Sequence, residues 1–362
     1  MKSDQSAKGS FLLNTESVNG KKVHLPVRIF PSQKTTVYLD EKVELKGRAV
    51  ASREVRAAAL IFAEEIKTLR DPKPIFQISE RIRSRFRSEA SRIGGDAGAL
   101  IPGLVIGDTK NESKTFTDQM RRVGLTHLTA VSGENFAIVA AFLAWLLQFF
   151  IPKLRLRLVI TGLVLVLFIF LVRPSPSVIR ASVMTAIALI SLGRGIKVNA
   201  LASLGVAISL ILLIDPFQAI DPGFALSVGA TAGIILLAPN LKLPEPIAIP
   251  IAATLFCTPV IIALSGTLSL ISIPANILVS PLVAPITVIG LVAALIPLIA
   301  HPLLLLISPL ARLLTAVAHF GARVPVLSLP KSFVGAALVL GVIFLIHWKK
   351  EFAALVFALS LL

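Results

Sequence analysis

From residue 128 to residue 347 the chain passes through one apolar stretch after another: 128–150, 158–172, 178–192, 198–214, 224–238, 247–264, 282–300, 303–320 and 333–347. An α-helix rises about 1.5 Å per residue, so crossing a hydrocarbon layer of about 30 Å takes roughly 20 residues, with some tolerance at each end. The stretches therefore read as membrane-crossing helices, about eight to ten in all. A further run opens at residue 352 and ends at 362 after about half a span, either as a natural frayed end or as a helix cut short. Composition agrees. With 15% charged residues, 55% apolar residues and a mean hydropathy of +0.84, the bulk of the chain must face lipid or other apolar helices.

The charges concentrate in about the first 125 residues, which separates an N-terminal part from the helical part. The net charge of +16 has two sources. Lys and Arg flanking apolar runs meet headgroups and set orientation, and the N-terminal remainder suits a polyanion or a membrane surface. Cys257 is the single cysteine, which excludes a disulfide within the chain and a cysteine-rich zinc site. Residues 1–10 are polar, so no cleavable leader is expected and the first membrane helix must drive insertion.

Residues 11–67 show short alternating segments separated by turn chemistry. Asn19-Gly20 is a turn dipeptide, Val23, Leu25, Val27 and Ile29 alternate with polar residues, and strands follow at 36–39, 42–50 and 60–66. About five short strands in some sixty residues suit a small β-barrel; an OB-like fold leads, and an SH3-like barrel stays open. Asp71-Pro72-Lys73-Pro74 breaks the chain. Residues 75–93 place Ile75, Ile78, Ile82, Phe86 and Ile93 among Arg81, Arg83, Arg85, Arg87 and Arg92, a basic amphipathic helix for a membrane surface or, in the competing reading, for nucleic acid. Gly94-Gly95 ends it, and the apolar segment 97–106 is too short to span. The expected organisation is a barrel domain at 1–70, the basic helix with its apolar connector at 71–108, and a helical membrane domain at 109–362.

Loop charge predicts sidedness. Lys153, Arg155 and Arg157 mark a cytoplasmic loop, and Arg194, Lys197 and Lys242 fall on the same side. The loop holding Asp215 and Asp221 falls outside, and so does the N-terminal domain. Arg173 is the one cation in an outer loop that disagrees. Lys349 and Lys350 fall inside if residues 269–280, with Pro274 and Asn276 ahead of Pro281, form a broken segment that does not cross.

Several polar residues near or within the helices call for a reason. Arg180 either snorkels to headgroups or faces a water-filled path and meets an anion there. Arg173 lies about two turns earlier and extends the same cationic line if the geometry around Pro174 and Pro176 allows. Gly229 and Gly233, with Ala225 on the same face, read as close helix packing. Asp215-Pro216 and Asp221-Pro222 are helix-start signals, and Asp221 also suits a pore mouth. His127, Ser132, Glu134 and Asn135 cluster where the first long helix begins, either as an interfacial cap or as the lining of an entrance. No zinc-protease motif, phosphate-binding loop or nucleophile elbow appears, so catalysis has no positive signal.

These residues fall into blocks. Gly124-Leu125-Thr126-His127-Leu128-Thr129-Ala130-Val131-Ser132-Gly133 is followed by Arg173-Pro174-Ser175 with Arg180-Ala181-Ser182-Val183-Met184. Next come Asp215-Pro216, then Asp221-Pro222-Gly223-Phe224-Ala225-Leu226-Ser227 running on to Gly229 and Gly233, and last Ile273-Pro274-Ala275-Asn276-Ile277-Leu278 with Pro281 and Pro285. Upstream stands Gly103-Leu104-Val105-Ile106-Gly107-Asp108. In this order the blocks resemble ComEC-like DNA-uptake channels over most of the chain. The resemblance implies a polytopic α-helical membrane protein with a small N-terminal OB-like β-barrel outside the bacterial cytoplasmic membrane. It would conduct one DNA strand inward during natural transformation. On that reading Lys21, Lys22, Arg28, Lys46 and Arg48 track phosphates while Phe30 and Tyr38 stack on bases, a plain solvated basic face being the alternative. His127, Ser132, Glu134, Asn135, Arg173, Arg180, Asp221 and Asn276 then line the path.

Fuller members of that family carry membrane helices before the barrel and a C-terminal metallo-hydrolase-like domain, and these 362 residues hold neither pattern. The chain is therefore expected to be a channel and not an enzyme, without cofactor or metal. Its expected partners are single-stranded DNA, the lipid bilayer, a cytoplasmic helicase-like motor, an outer DNA receptor and a separate nuclease. Two other classes compete: a secondary transporter of a small anionic solute or lipid, and a non-conducting assembly platform. A transporter should show paired broken helices and intramembrane carboxylates, and the sequence has no such repeat.

Overall fold

A computed structural model describes residues 10–18, 21–32, 40–52, 57–129 and 131–328. They divide into two compact units: those up to Ser84 with Phe168–Pro174, and those of Arg85–Leu167 with the residues from Ser175 onward.

Strand alternation builds the first unit. Its strands are β1 (Phe11–Asn14), β2 (Ser17–Val18), β3 (Lys21–Lys22), β4 (Pro26–Pro31), β5 (Lys42–Ala51) and β6 (Ala59–Arg70). Four form a mixed sheet ordered β1-β4-β6-β5, in which β4 runs parallel to β6 and the other neighbours are antiparallel; β2 and β3 pair separately. Side chains two apart share a face. Phe11, Leu13, Val27, Ile29 and Ala63 accordingly form one buried cluster, against which Val43, Leu45, Ile61 and Ile66 pack. Among the described residues no ladder joins the edges β1 and β5. The described strands therefore show a sheet and not the closed barrel that was expected: among them the four residues of β1 pair with β4, and β5 pairs with β6. Asn19-Gly20 and the expected strand at 36–39 lie outside the described residues.

Helix α1 (Pro74–Ser91) is the basic amphipathic segment. Its arginines do not share one solvent face. Arg81 and Arg85 are exposed, but Arg83 is only 2% exposed and donates from Nη1 to the Leu171 carbonyl at 2.9 Å. Ser79 donates to the Phe170 carbonyl nearby, and Phe76 meets Phe170 edge to face. Left-handed backbone at Gly94 and Gly95 follows the helix.

The second unit holds α2 (Gly95–Ile106), α3 (Lys114–Val123), α4 (Gly133–Leu147), α5 (Leu154–Val172, completed in the first unit), α6 (Pro176–Gly193), α7 (Ala200–Ile214), α8 (Pro222–Leu236), α9 (Glu245–Ser265), α10 (Ser272–Leu295) and α11 (Ala300–Gly321), with a small pair β7 (Thr267–Ser269) and β8 (Val326–Ser328). Among the described residues, six helical spans are long and apolar enough to cross a membrane: Leu154–Val172, Pro176–Gly193, Pro222–Asn240, Glu245–Ser265, Ser272–Leu295 and Pro297–Gly321. Helices α2, α4 and α7 are apolar but shorter. The expected run at 128–150 shortens to α4 because Ser132 caps the helix, its Oγ accepting from the Asn135 N–H at 3.2 Å.

Residues 269–280 do not form a separate broken segment. Helix α10 runs without interruption from Ser272 to Leu295, through Pro281 and Pro285. Pro274 falls in its first turn, where a missing N–H leaves no intrahelical bond unmade. Helix α10 packs against α11, α2, α9 and α4, and α11 against α2 and α3. Gly124 ends α3 at φ +82°, and a Cβ there would stand 2.7 Å from the Ser272 side chain, so both backbone angle and space require glycine. Helix α2 is buried from Ala97 to Ile106.

Candidate functional site

The sheet has a second face, set by the same alternation that fills the core. With Val27 and Ile29 turned inward, Arg28 and Phe30 turn outward, and the parallel register places Arg28 beside Leu60 and Phe30 beside Phe62. The antiparallel register brings Arg48 against Phe62 and Val50 against Leu60. Phe30 and Phe62 stack with ring centroids 5.3 Å apart and planes 20° from parallel. Phe62 remains 48% exposed, and Arg48 and Val50 are exposed beside it. Two stacked aromatic rings, flanked by guanidinium groups on an open surface, offer flat apolar area and positive charge together.

The other sequence-predicted residues of this unit are less concentrated. Lys46 is exposed and pairs with Glu65 at 3.4 Å, so part of its charge is spent within the sheet. Lys21 and Lys22 sit exposed on β3, in the separate two-stranded pair. Tyr38 lies outside the described residues. Phe62 is the residue that sequence reading missed. The signal was available, because Ala59, Ile61 and Ala63 point inward and the intervening Phe62 must then point out.

In the helical unit the outstanding group is Arg180, on the second turn of α6. It is 6% exposed. Its Nε donates to Ser227 Oγ at 3.1 Å and its Nη1 to Thr231 Oγ1, both on α8. Among the described residues it has no carboxylate partner. This is a buried guanidinium held by neutral hydroxyls. Arg173 keeps different company, in the first unit: it stands at φ +68° just past α5 and donates to Glu80 Oε2 at 2.8 Å. That ion pair neutralises the cation that broke the loop-charge pattern.

Asn135 is fully buried on α4 and donates from Nδ2 to the Leu104 carbonyl of α2 at 2.8 Å. Glu134 is exposed in the first turn of α4, and His127 is exposed in the 3-10 turn Thr126–Leu128. Asp221 caps α8, its Oδ1 accepting from the Phe224 N–H at 3.0 Å. Asn276 donates to the Ser272 carbonyl within α10. Helices α8 and α9 pack closely. A Cβ at Gly233 would come within 2.5 Å of the Ala252 carbonyl oxygen, while one at Gly229 would stand 3.5 Å from that of Phe256.

A carboxyl group also sits at the α2–α3 junction. Burial, then Asp108, then Asp96 push the Glu112 carboxyl up to about 8. Its Oε1 finds no hydrogen-bond partner among the described residues. Asp108 itself is buried and bound to Arg87.

The model of the Competence protein family matches residues 104–352, well over half of the chain. This chain belongs to the Competence protein family. Among curated relatives, ComE operon protein 3 of Bacillus subtilis (strain 168) is 24% identical over 192 residues, which is 51% of this chain and 25% of that protein. The chain thus matches only about a quarter of that relative's length. No solved structure matches it. As a Competence protein with, among the described residues, six apolar helices of spanning length, it is a multi-pass membrane protein. Within the Competence protein match, the helices bring separate sequence blocks together: Gly133 from the first, Arg180 from the second and Ser227 from the third meet around one guanidinium.

Proposed function

We propose that this protein admits single-stranded DNA across a bacterial cytoplasmic membrane during natural transformation, and that the outward face of its N-terminal sheet captures the strand. The observation that carries this reading is the Phe30–Phe62 stack with Arg28 and Arg48 in register beside it. Every base has a π-face, so aromatic platforms bind single strands with little sequence preference, and nearby arginines meet the phosphates. Membership of the Competence protein family supports a role in DNA uptake. The basic helix ends at 153–157 and 194–197 support an external sheet domain. On this reading the helices form the passage and a cytoplasmic helicase-like motor supplies the pull. An outer receptor and a nuclease are separate partners.

The test uses the full chain in maltoside micelles, because the sheet shares its compact unit with Phe168–Pro174. Binding of a fluorescent single-stranded oligonucleotide is followed over a salt series. The logarithm of the affinity should fall linearly with the logarithm of salt concentration. Phe62→Ala should weaken binding roughly 5- to 150-fold, from a stacking contribution of about 1–3 kcal/mol per base. Salt-independent binding, or an unaffected Phe62→Ala variant, refutes capture by this face.

A further inference from the structure

We propose that Arg180 and the first turn of α4 together form a binding site for a phosphodiester monoanion inside the helical unit. The proposal deepens the function given above and rests on it for the source of the anion, the backbone of a single strand.

The guanidinium is only partly satisfied. Nε and Nη1 donate to Ser227 and Thr231, two hydroxyls one turn apart on α8. Thr231 passes its own proton to the Ser227 carbonyl at 3.1 Å, so its oxygen faces Arg180 as an acceptor. Nη2 has no acceptor among the described residues. Arginine keeps its charge under all ordinary conditions, and a buried charge without a counter-charge is costly. The hydroxyls hold the fork in place without neutralising it.

Nη2 is turned toward α4. A Cβ built on Gly133 would stand 2.9 Å from it. Gly133 opens the fifteen-residue helix α4, whose first N–H groups have no intrahelical acceptor. The Asn135 N–H is taken by Ser132 Oγ and that of Phe136 by the Ser132 carbonyl, while those of Gly133 and Glu134 have no partner among the described residues. A helix N-terminus carries partial positive charge and aims N–H donors at whatever binds there. A glycine thus lets the helix end approach the guanidinium edge closely, so that these donors and Nη2 lie side by side. Two donor groups of different origin suit the two non-bridging oxygens of a phosphodiester.

Glu134 stands on the same turn, exposed and without an ion pair among the described residues. Its negative charge opposes a second anion and keeps occupancy weak, as a site along a conduction path requires. Ser227 and Thr231 are positioning residues here, acting through Arg180.

The experiment follows the phosphorus resonance of dimethyl phosphate with the full chain in phosphorus-free maltoside micelles. The protein should broaden the line, and both Arg180→Gln and Gly133→Ala should weaken the interaction at least tenfold. Gly133→Ala keeps every charge and every hydroxyl and only presses the guanidinium away from the helix end, so it serves even if Arg180→Gln fails to fold. Arg194→Gln, which removes an exposed arginine at the end of the same helix, should leave the broadening unchanged. A short single-stranded oligonucleotide should displace the dimethyl phosphate. No broadening, or equal broadening in Gly133→Ala, overturns the site; displacement by short-chain phosphatidylglycerol and not by the oligonucleotide overturns nucleic acid as its ligand. Capture by the sheet is read separately, from the Phe62→Ala salt series, so either failure is recognisable alone.

Discussion

Glu80 accepts a hydrogen bond from Arg173 at 2.8 Å and holds the same oxygen 3.9 Å from Nε of Arg83, so one carboxylate serves two guanidinium groups. Arg83 is almost fully buried, and the other two side chains are about four-fifths buried. Removing the negative charge should therefore matter more than it would at a surface pair. Glu80→Gln is expected to destabilise by about 1–3 kcal/mol, whereas Arg81→Gln, an exposed neighbour, should stay within about 0.5 kcal/mol. Thermal midpoints of the two variants in micelles decide the matter; equal midpoints would mean that the shared carboxylate contributes nothing.

Arg48 lies against Phe62 on the outward face of the sheet. If it meets a phosphate there, Arg48→Gln should weaken oligonucleotide binding at low salt and lower the magnitude of the salt slope by about 0.7, the single-strand value for one phosphate. An unchanged slope would place Arg48 outside the bound strand's reach.

Two glycines one turn apart on α8 should respond differently. Gly233→Ala drives a methyl to 2.5 Å from a carbonyl oxygen of α9 and should cost about 1–3 kcal/mol as the helices separate. Gly229→Ala makes an ordinary contact and should be tolerated. Disulfide trapping between cysteines placed across α8 and α9 would register the separation, and equal trapping in both variants would contradict it.

Glu112 makes stability depend on pH. Its carboxyl binds protons up to about pH 8 in the folded chain, against an ordinary value of 4.5. Between those values the folded state holds more protons than the unfolded one, so stability falls as pH rises through this window and levels off above about 8. Glu112→Gln removes the titration. The variant should match the wild type near pH 4.5 and be the more stable of the two at pH 9. Parallel curves at both pH values would show that the carboxyl is solvated.

Much of this was legible from pattern alone. Apolar runs located the long helices, and alternation located β4, β5 and β6, because each reports only on its own segment's environment. Contacts between distant segments were not legible. Arg83 fits the polar face of α1 by spacing, yet residues 168–174 cover that position and supply a carbonyl acceptor. Arg180 read equally well as a snorkelling side chain or as part of a path. Its contact with Ser227, far along the chain, has no mark in the sequence around it. The prolines near residue 274 suggested a break because proline's effect depends on whether it falls in the first turn, which a sequence does not mark.

The partners of Arg180 also set an order of assembly. Its hydroxyl acceptors stand 47 and 51 residues further along the chain, on a helix synthesised later. At roughly 5–20 residues per second, α6 waits several seconds for them during translation. An arginine at the centre of a lone membrane helix costs about 2.5–3.5 kcal/mol; on the second turn of α6 the cost is smaller, yet it weighs on α6 in lipid throughout that delay. Remaining beside the insertion machinery, or entering the bilayer together with α7 and α8, would relieve it.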